Sequence, residues 1–188
     1  MINIFQTKEV KLLILVLLIA VFIAIKVIRI PISGEINLEI LQQKGAILNL
    51  DSAKNISNTK RLSVPTINFV ESRKLEHKNF GELGFSTNFF MNLRTKSEVL
   101  AEGNYTFYIA SDDGFRFKID DKIVCEHPEN RGYKTNICHY YLKKKSYDFH
   151  VAYYQGGGPM GLTAKYKLGA KIFFIGHDSK YMKFKAGK

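Results

Sequence analysis

Tyr105-Thr106-Phe107-Tyr108-Ile109-Ala110-Ser111-Asp112-Asp113-Gly114-Phe115-Arg116-Phe117-Lys118-Ile119 is the stretch that decides the fold. Tyr105, Phe107 and Ile109 share one face, and Phe115, Phe117 and Ile119 share one face with the cations pointing away. Period-two alternation on both sides of a polar break predicts two half-buried strands. Ser111-Asp112-Asp113-Gly114 is then a strand-connecting loop held by a rigid sheet. Two adjacent carboxylates repel unless a cation lies between them, which suggests calcium; solvated carboxylates in an Asx-type turn are the plainer reading.

Working outward, the same alternation recurs in Glu35-Ile36-Asn37-Leu38-Glu39-Ile40, in residues 147–154, and in Leu162, Ala164, Tyr166 and Leu168. Pro65 to Val70 and Phe85 to Met91 read as further strands, and the polar run Lys54 to Arg61 as a surface loop. Beyond the amino terminus no helical periodicity competes, so the domain is expected to be all-β, an antiparallel barrel or sandwich.

The motifs Gly103-Asn104-Tyr105-Thr106-Phe107, Ser111 to Phe117 and Ile119-Asp120-Asp121-Lys122-Ile123-Val124 together resemble the protective-antigen domain family. So do Leu142 to Tyr147, and Val151-Ala152-Tyr153-Tyr154-Gln155 with Gly156-Gly157-Gly158-Pro159 after it. The resemblance spans about residues 34–178. It implies a β-barrel module of microbial adhesins, toxins and glycosidases. In the sugar-binding branch it implies a cis-linked Asp112-Asp113 pair that binds calcium, the ion holding sugar hydroxyls. Gln155, Gly156, Gly157, Gly158 and Tyr154 are the matching carbohydrate-binding residues, with Tyr153 and Tyr133 as further stacking faces. Other members keep the acidic pair for structure alone. Three features depart from the pattern. The chain has no Trp, Asp120-Asp121 stands where Asp-Gly is usual, and Lys145 stands where Gly is usual. The last two are turn positions expected to need positive φ.

The chain has 188 residues and a net charge of +11. Setting aside Lys8, Glu9, Lys11, Lys26 and Arg29 still leaves 24 cations against 16 anions. That surplus suits anionic polymers, lipid headgroups or acidic proteins. No nucleic-acid motif accompanies it, so a nucleic-acid partner is not expected. Leu12 to Ile25 is unbroken apolar sequence. With its flanks it reaches about 20 residues, the length of a membrane span, and no small-x-small cleavage site follows it. The expected organisation is a signal anchor or single transmembrane helix over 1–31, a β domain over 34–178 and a basic tail over 179–188, either a last strand edge or a loose end. Flanking charge gives no orientation. The resemblance favours an outward domain, giving a single-pass protein of a bacterial inner membrane facing the periplasm. Cys125 and Cys138 could there form a disulfide, or remain two buried thiols.

Gly156 to Gly161 also matches Gly-x-Gly-x-x-Gly, but the motif needs a following helix and a strand pattern follows instead. The five histidines lack metal spacing, and no nucleophile elbow or facing carboxylate pair is visible. Enzymatic activity is therefore not expected. Two functions remain: a calcium-dependent module binding carbohydrate, peptidoglycan included, or a scaffold docking onto envelope proteins.

Overall fold

The computed structural model describes residues 12, 14–18 and 35–186. Contacts divide the chain into one unit over residues 1–32 and another over 33–188. In the first, residues 12 and 14–18 are helical and exposed. The rest of the expected span lies outside the described residues, and among the described residues no helix is long and apolar enough to cross a membrane.

The second unit is built from β1 (Ile36–Gln43), β2 (Ile56–Val64), β3 (Asn68–Ser72), β4 (Glu76–His77), β5 (Gly81–Glu82), β6 (Phe89–Val99) and β7 (Gly103–Asp112). There follow β8 (Phe115–Ile119), β9 (Lys122–His127), β10 (Lys134–Leu142), β11 (Ser146–Gln155), β12 (Met160–Lys167), β13 (Ile172–Phe174) and β14 (Met182–Ala186). They form two antiparallel sheets. The first runs β2-β1-β6-β11-β8-β9, with β14 joined to the far half of β6; the second runs β10-β7-β12-β3-β4-β5, with β13 joined to β12. Alternation turns one face of each sheet inward, and the two apolar faces seal against one another. Phe107 of β7 meets Phe117 of β8 at 5.0 Å between ring centroids, and Phe117 meets Phe149 of β11 edge-on at 5.4 Å. The three rings weld the middle of the sandwich, each fully or almost fully buried.

The architecture is a two-sheet sandwich and not a closed barrel. Among the described residues no ladder joins one sheet to the other. At the β9–β10 seam a Cys125–Cys138 disulfide links the sheet edges, its Cα atoms 5.8 Å apart. Other expectations shift as well. The run read as a loop at 54–61 is largely β2, which pairs with β1 from Ile36↔Val64 to Gln43↔Ile56. Its polar sequence fits an edge strand whose side chains mostly meet water. Of the two alternatives for the basic tail, residues 182–186 take the strand, β14, with Met182 and Phe184 in the core. There the Ala186 N–H donates to Glu35 Oε2 at 2.6 Å, so the two ends of the domain meet. Asp120 and Asp121 take positive φ, 47° and 64°, as the turn requires. Lys145 does not; its ammonium bonds Asp120 Oδ2 at 3.1 Å and lies 4.4 Å from the Tyr147 ring centre.

Candidate functional site: an acidic corner under a glycine loop

β7 ends at Asp112 and β8 begins at Phe115, so the acidic pair sits at a corner where one sheet hands over to the other. The Asp112-Asp113 peptide is cis. Asp112 is 7% and Asp113 2% exposed. Removing carboxylates from water raises both pKa values, and the neighbouring Asp113 charge then adds to carry Asp112 to about 6. Backbone groups offset part of that cost. The Gly156 N–H donates to Asp113 Oδ2 at 2.8 Å, the Arg131 N–H also serves Asp113, and the Tyr133 N–H serves Asp112.

Gly114 lets the chain turn here. A Cβ on it would lie 2.6 Å from the Tyr154 ring and 2.8 Å from the carbonyl oxygens of His127 and Pro128, closer than real Cβ atoms come. Ser111 Oγ donates to the Asp113 carbonyl at 2.7 Å and in turn accepts Arg131 Nη2 at 2.9 Å. The Arg131 guanidinium also bonds Asn136 Oδ1 and the Lys134 carbonyl and rests over the Phe115 ring. Its Nε is buried with no hydrogen-bond partner. Arg131 is the cation nearest in role to the acidic pair. Sequence reasoning missed it, since Asn130-Arg131-Gly132 reads only as a turn.

The other expected residues divide in two. Gly156 is partly exposed, and Gly157 and Gly158 are exposed above the acids. Gln155 and Tyr154 lie wholly beneath them. Gln155 Nε2 donates to the Gly157 and Pro159 carbonyls at 3.0 and 2.9 Å, while its Oε1 meets the Tyr153 hydroxyl at 2.5 Å. That hydroxyl also bonds the Asp112 carbonyl. The Tyr154 hydroxyl donates to the Leu48 carbonyl, and its ring packs with Phe90. Gln155 and Tyr154 thus hold the loop from below instead of facing a ligand. Tyr153 is 1% exposed; Tyr133 is half-buried, its hydroxyl 3.2 Å from Thr163 Oγ1.

A calcium ion asks for six to eight hard oxygens. The corner supplies two carboxylates and more: a Cβ at Gly156 would stand 3.1 Å from the Ile47 carbonyl oxygen and 3.5 Å from Asp113 Oδ2. The glycine therefore keeps open a space flanked by both kinds of oxygen, and the donor chemistry fits the ion. Among the described residues no group of three or more His, Cys, Asp or Glu could hold a metal, so the other ligands would be the Ile47 carbonyl, loop carbonyls of 156–158 and hydroxyls from outside.

Residues 78–169 match the family model of the PA14 domain. No curated protein sequence matches the chain. Among solved structures, a PA14 sugar-binding domain from an RTX adhesin aligns with TM-score 0.58 and 17% identity, covering 74% of this chain and 93% of that one. The PA14 domain of the MpAFP antifreeze protein aligns with TM-score 0.61 and 16% identity, over 82% of this chain and 92% of that one. The A domain of epithelial adhesin 9 from Candida glabrata, in complex with Galb1-4GlcNAc, aligns with TM-score 0.56 and 12% identity, over 82% and 90%. A sequence match over the acidic corner and a shared sandwich around it converge: residues 78–169 carry a PA14 domain match, and the β unit has the PA14 fold.

Proposed function

We propose that the chain is a non-enzymatic recognition module that binds carbohydrate at the acidic corner with the help of calcium. One observation carries this reading: two adjacent desolvated carboxylates lie against an exposed glycine loop, with the Ile47 carbonyl beside Gly156. Bound calcium would neutralise the pair and offer coordination positions to sugar hydroxyls. The chain's own part is to hold the oxygens still. The N–H groups of Gly156 and Arg131 fix the Asp113 carboxylate, Ser111 fixes the Asp113 carbonyl, Tyr153 fixes the carbonyl between the two acids, and Gln155 braces the loop. Exposed Gly157 and Gly158 let a sugar ring approach the backbone without a side chain in the way. The sugar-binding domain of the RTX adhesin and the epithelial adhesin domain in complex with Galb1-4GlcNAc support the same ligand class.

The apolar run Leu12 to Ile25 supports a single-pass anchor, and the disulfide supports an oxidising side of the membrane. We read the domain as facing the periplasm from a bacterial inner membrane, within reach of peptidoglycan. A second reading, docking to an envelope protein, is favoured by one feature: Ile137 and Tyr141 lie 58% and 51% exposed along β10, the strand at the disulfide seam.

The test is thermal melting and calorimetry of the intact chain with millimolar calcium or chelator, followed by a glycan array in both conditions. A calcium-induced rise in melting temperature, lost in Asp113→Asn, and chelator-sensitive glycan binding are expected. Calcium without effect on either would sink the metal-dependent reading. Stoichiometric cross-linking to one envelope protein, lost on Ile137→Asp, would favour docking.

A further inference from the structure

The outer face of the first sheet holds charge that the acidic corner does not use. Arg94 of β6 pairs in register with His150 of β11, which pairs in register with Lys118 of β8. Three basic side chains therefore stand in one row across adjacent strands, each about 4.8 Å from the next. Arg94 and Lys118 flank His150 from either side on one face, and an anion lying between them would be attracted by both. Among the described residues neither Arg94 nor Lys118 forms an ion pair. Burial first, and then Arg94, Lys118 and Lys54 against an opposing pull from Asp121, hold His150 neutral with a pKa of about 4.

The row borders a real hollow. The β1–β2 connection folds over this face, packing Ile47 and Leu50 on Phe90 and Tyr154. Beside it, small Ala152 leaves a cavity of about 300 Å³ edged by Lys54, Arg94, Arg116, Lys118 and His150. Asp51 is the one carboxylate lining it, and Arg116 already grips that group with two bonds of 2.8 and 2.9 Å. Arg116 also holds Glu126 at 2.6 Å, and Arg94, Lys118 and Lys54 remain as lining cations with more positive charge than a single carboxylate ligand would neutralise. A phosphate carries roughly −1.5 to −2 at neutral pH and three acceptor oxygens, and it matches the surplus better.

We propose that this hollow binds a phosphate group carried on a saccharide, at a site separate from the acidic corner. Only the sugar half of the assignment rests on the carbohydrate reading; the anion half rests on the row itself. Arg94 approaches the phosphate from one side and Lys118 from the other, with Lys54 closing from the overhanging connection.

The test is calorimetric titration of the intact chain with glucose 1-phosphate, with glucose and inorganic phosphate as comparisons. Saturable binding of glucose 1-phosphate is expected, weakened about tenfold or more in the double variant Arg94→Gln/Lys118→Gln. A control variant, Lys144→Gln/Lys183→Gln, removes equal charge elsewhere and should bind as the unaltered chain does. Asp113→Asn should also leave this binding intact, which separates its failure from failure of the calcium site. Equal affinity for inorganic phosphate keeps the site but assigns it to the free anion, overturning the saccharide half. Equal loss in both double variants would reduce the effect to general charge and overturn the proposal. So would recruitment to anionic phospholipid vesicles without saturable binding of either soluble phosphate.

Discussion

The acidic corner and the basic row gather like charges in opposite ways. At the corner the charges are adjacent in sequence, withdrawn from water and held by backbone N–H groups. In the row they are 24 to 56 residues apart, meet only through strand pairing, and lie on an outer sheet face, Arg94 exposed and Lys118 and His150 partly so. Burial makes the corner part of the fold, whereas exposure leaves the row almost detached from it. A change at the corner should therefore cost stability, and a change at exposed Arg94 in the row should alter binding alone.

The largest effect is expected from Gly114→Ala. Its Cβ would collide with the Tyr154 ring and two carbonyl oxygens, and overpacking of this kind costs about 3 kcal/mol. Chemical denaturation should show it, and an unchanged midpoint would mean that the corner is looser than its geometry indicates. Next comes Asp113→Ala, which strips the acceptor from the N–H groups of Gly156 and Arg131; a loss of roughly 2 kcal/mol is expected by the same measurement.

A pH series sharpens the contrast. Asp112 has a folded pKa of about 6 against 3.8 for the free group. Between those values the folded state holds more protons than the unfolded one, so this group's contribution falls as pH rises. His150 has the opposite sign. Its pKa of about 4 lies below the ordinary 6.5, the unfolded state binds more protons in between, and stability rises with pH. Melting temperatures of Asp112→Asn should climb more steeply than those of the unaltered chain from about pH 4 to 6. Those of His150→Gln should climb less. The reverse order would show that the two environments had been mistaken for one another. The smallest effect is Arg94→Ala, expected within about 0.5 kcal/mol of the unaltered chain. A larger loss would place the row in the folding machinery.

What sequence reveals follows the same division. β7, β8 and β11 are legible because each alternates strictly against the core, and the acidic pair stands out between two of them. β2 is not legible, because an edge strand wetted on its outer side spells like a loop. Arg131 could not be found either: its role arises from stacking on Phe115 and reaching Ser111, neither of which is near it in the chain. Gln155 and Tyr154 end β11 just before the glycine loop, and alternation alone does not tell a brace from a contact. The basic row is hidden from any one-dimensional reading, since only ladder register brings residues 94, 118 and 150 abreast.

The bond between Glu35 and Ala186 bears on how such a domain can be carried. Its entrance and exit lie side by side, next to the middle of β6, while the Gly156 loop lies beyond that strand's opposite end at Phe89. Six residues of extended chain, about 20 Å, separate the two places. A module whose ends lie this close can be spliced into a host polypeptide or circularly permuted with little disturbance.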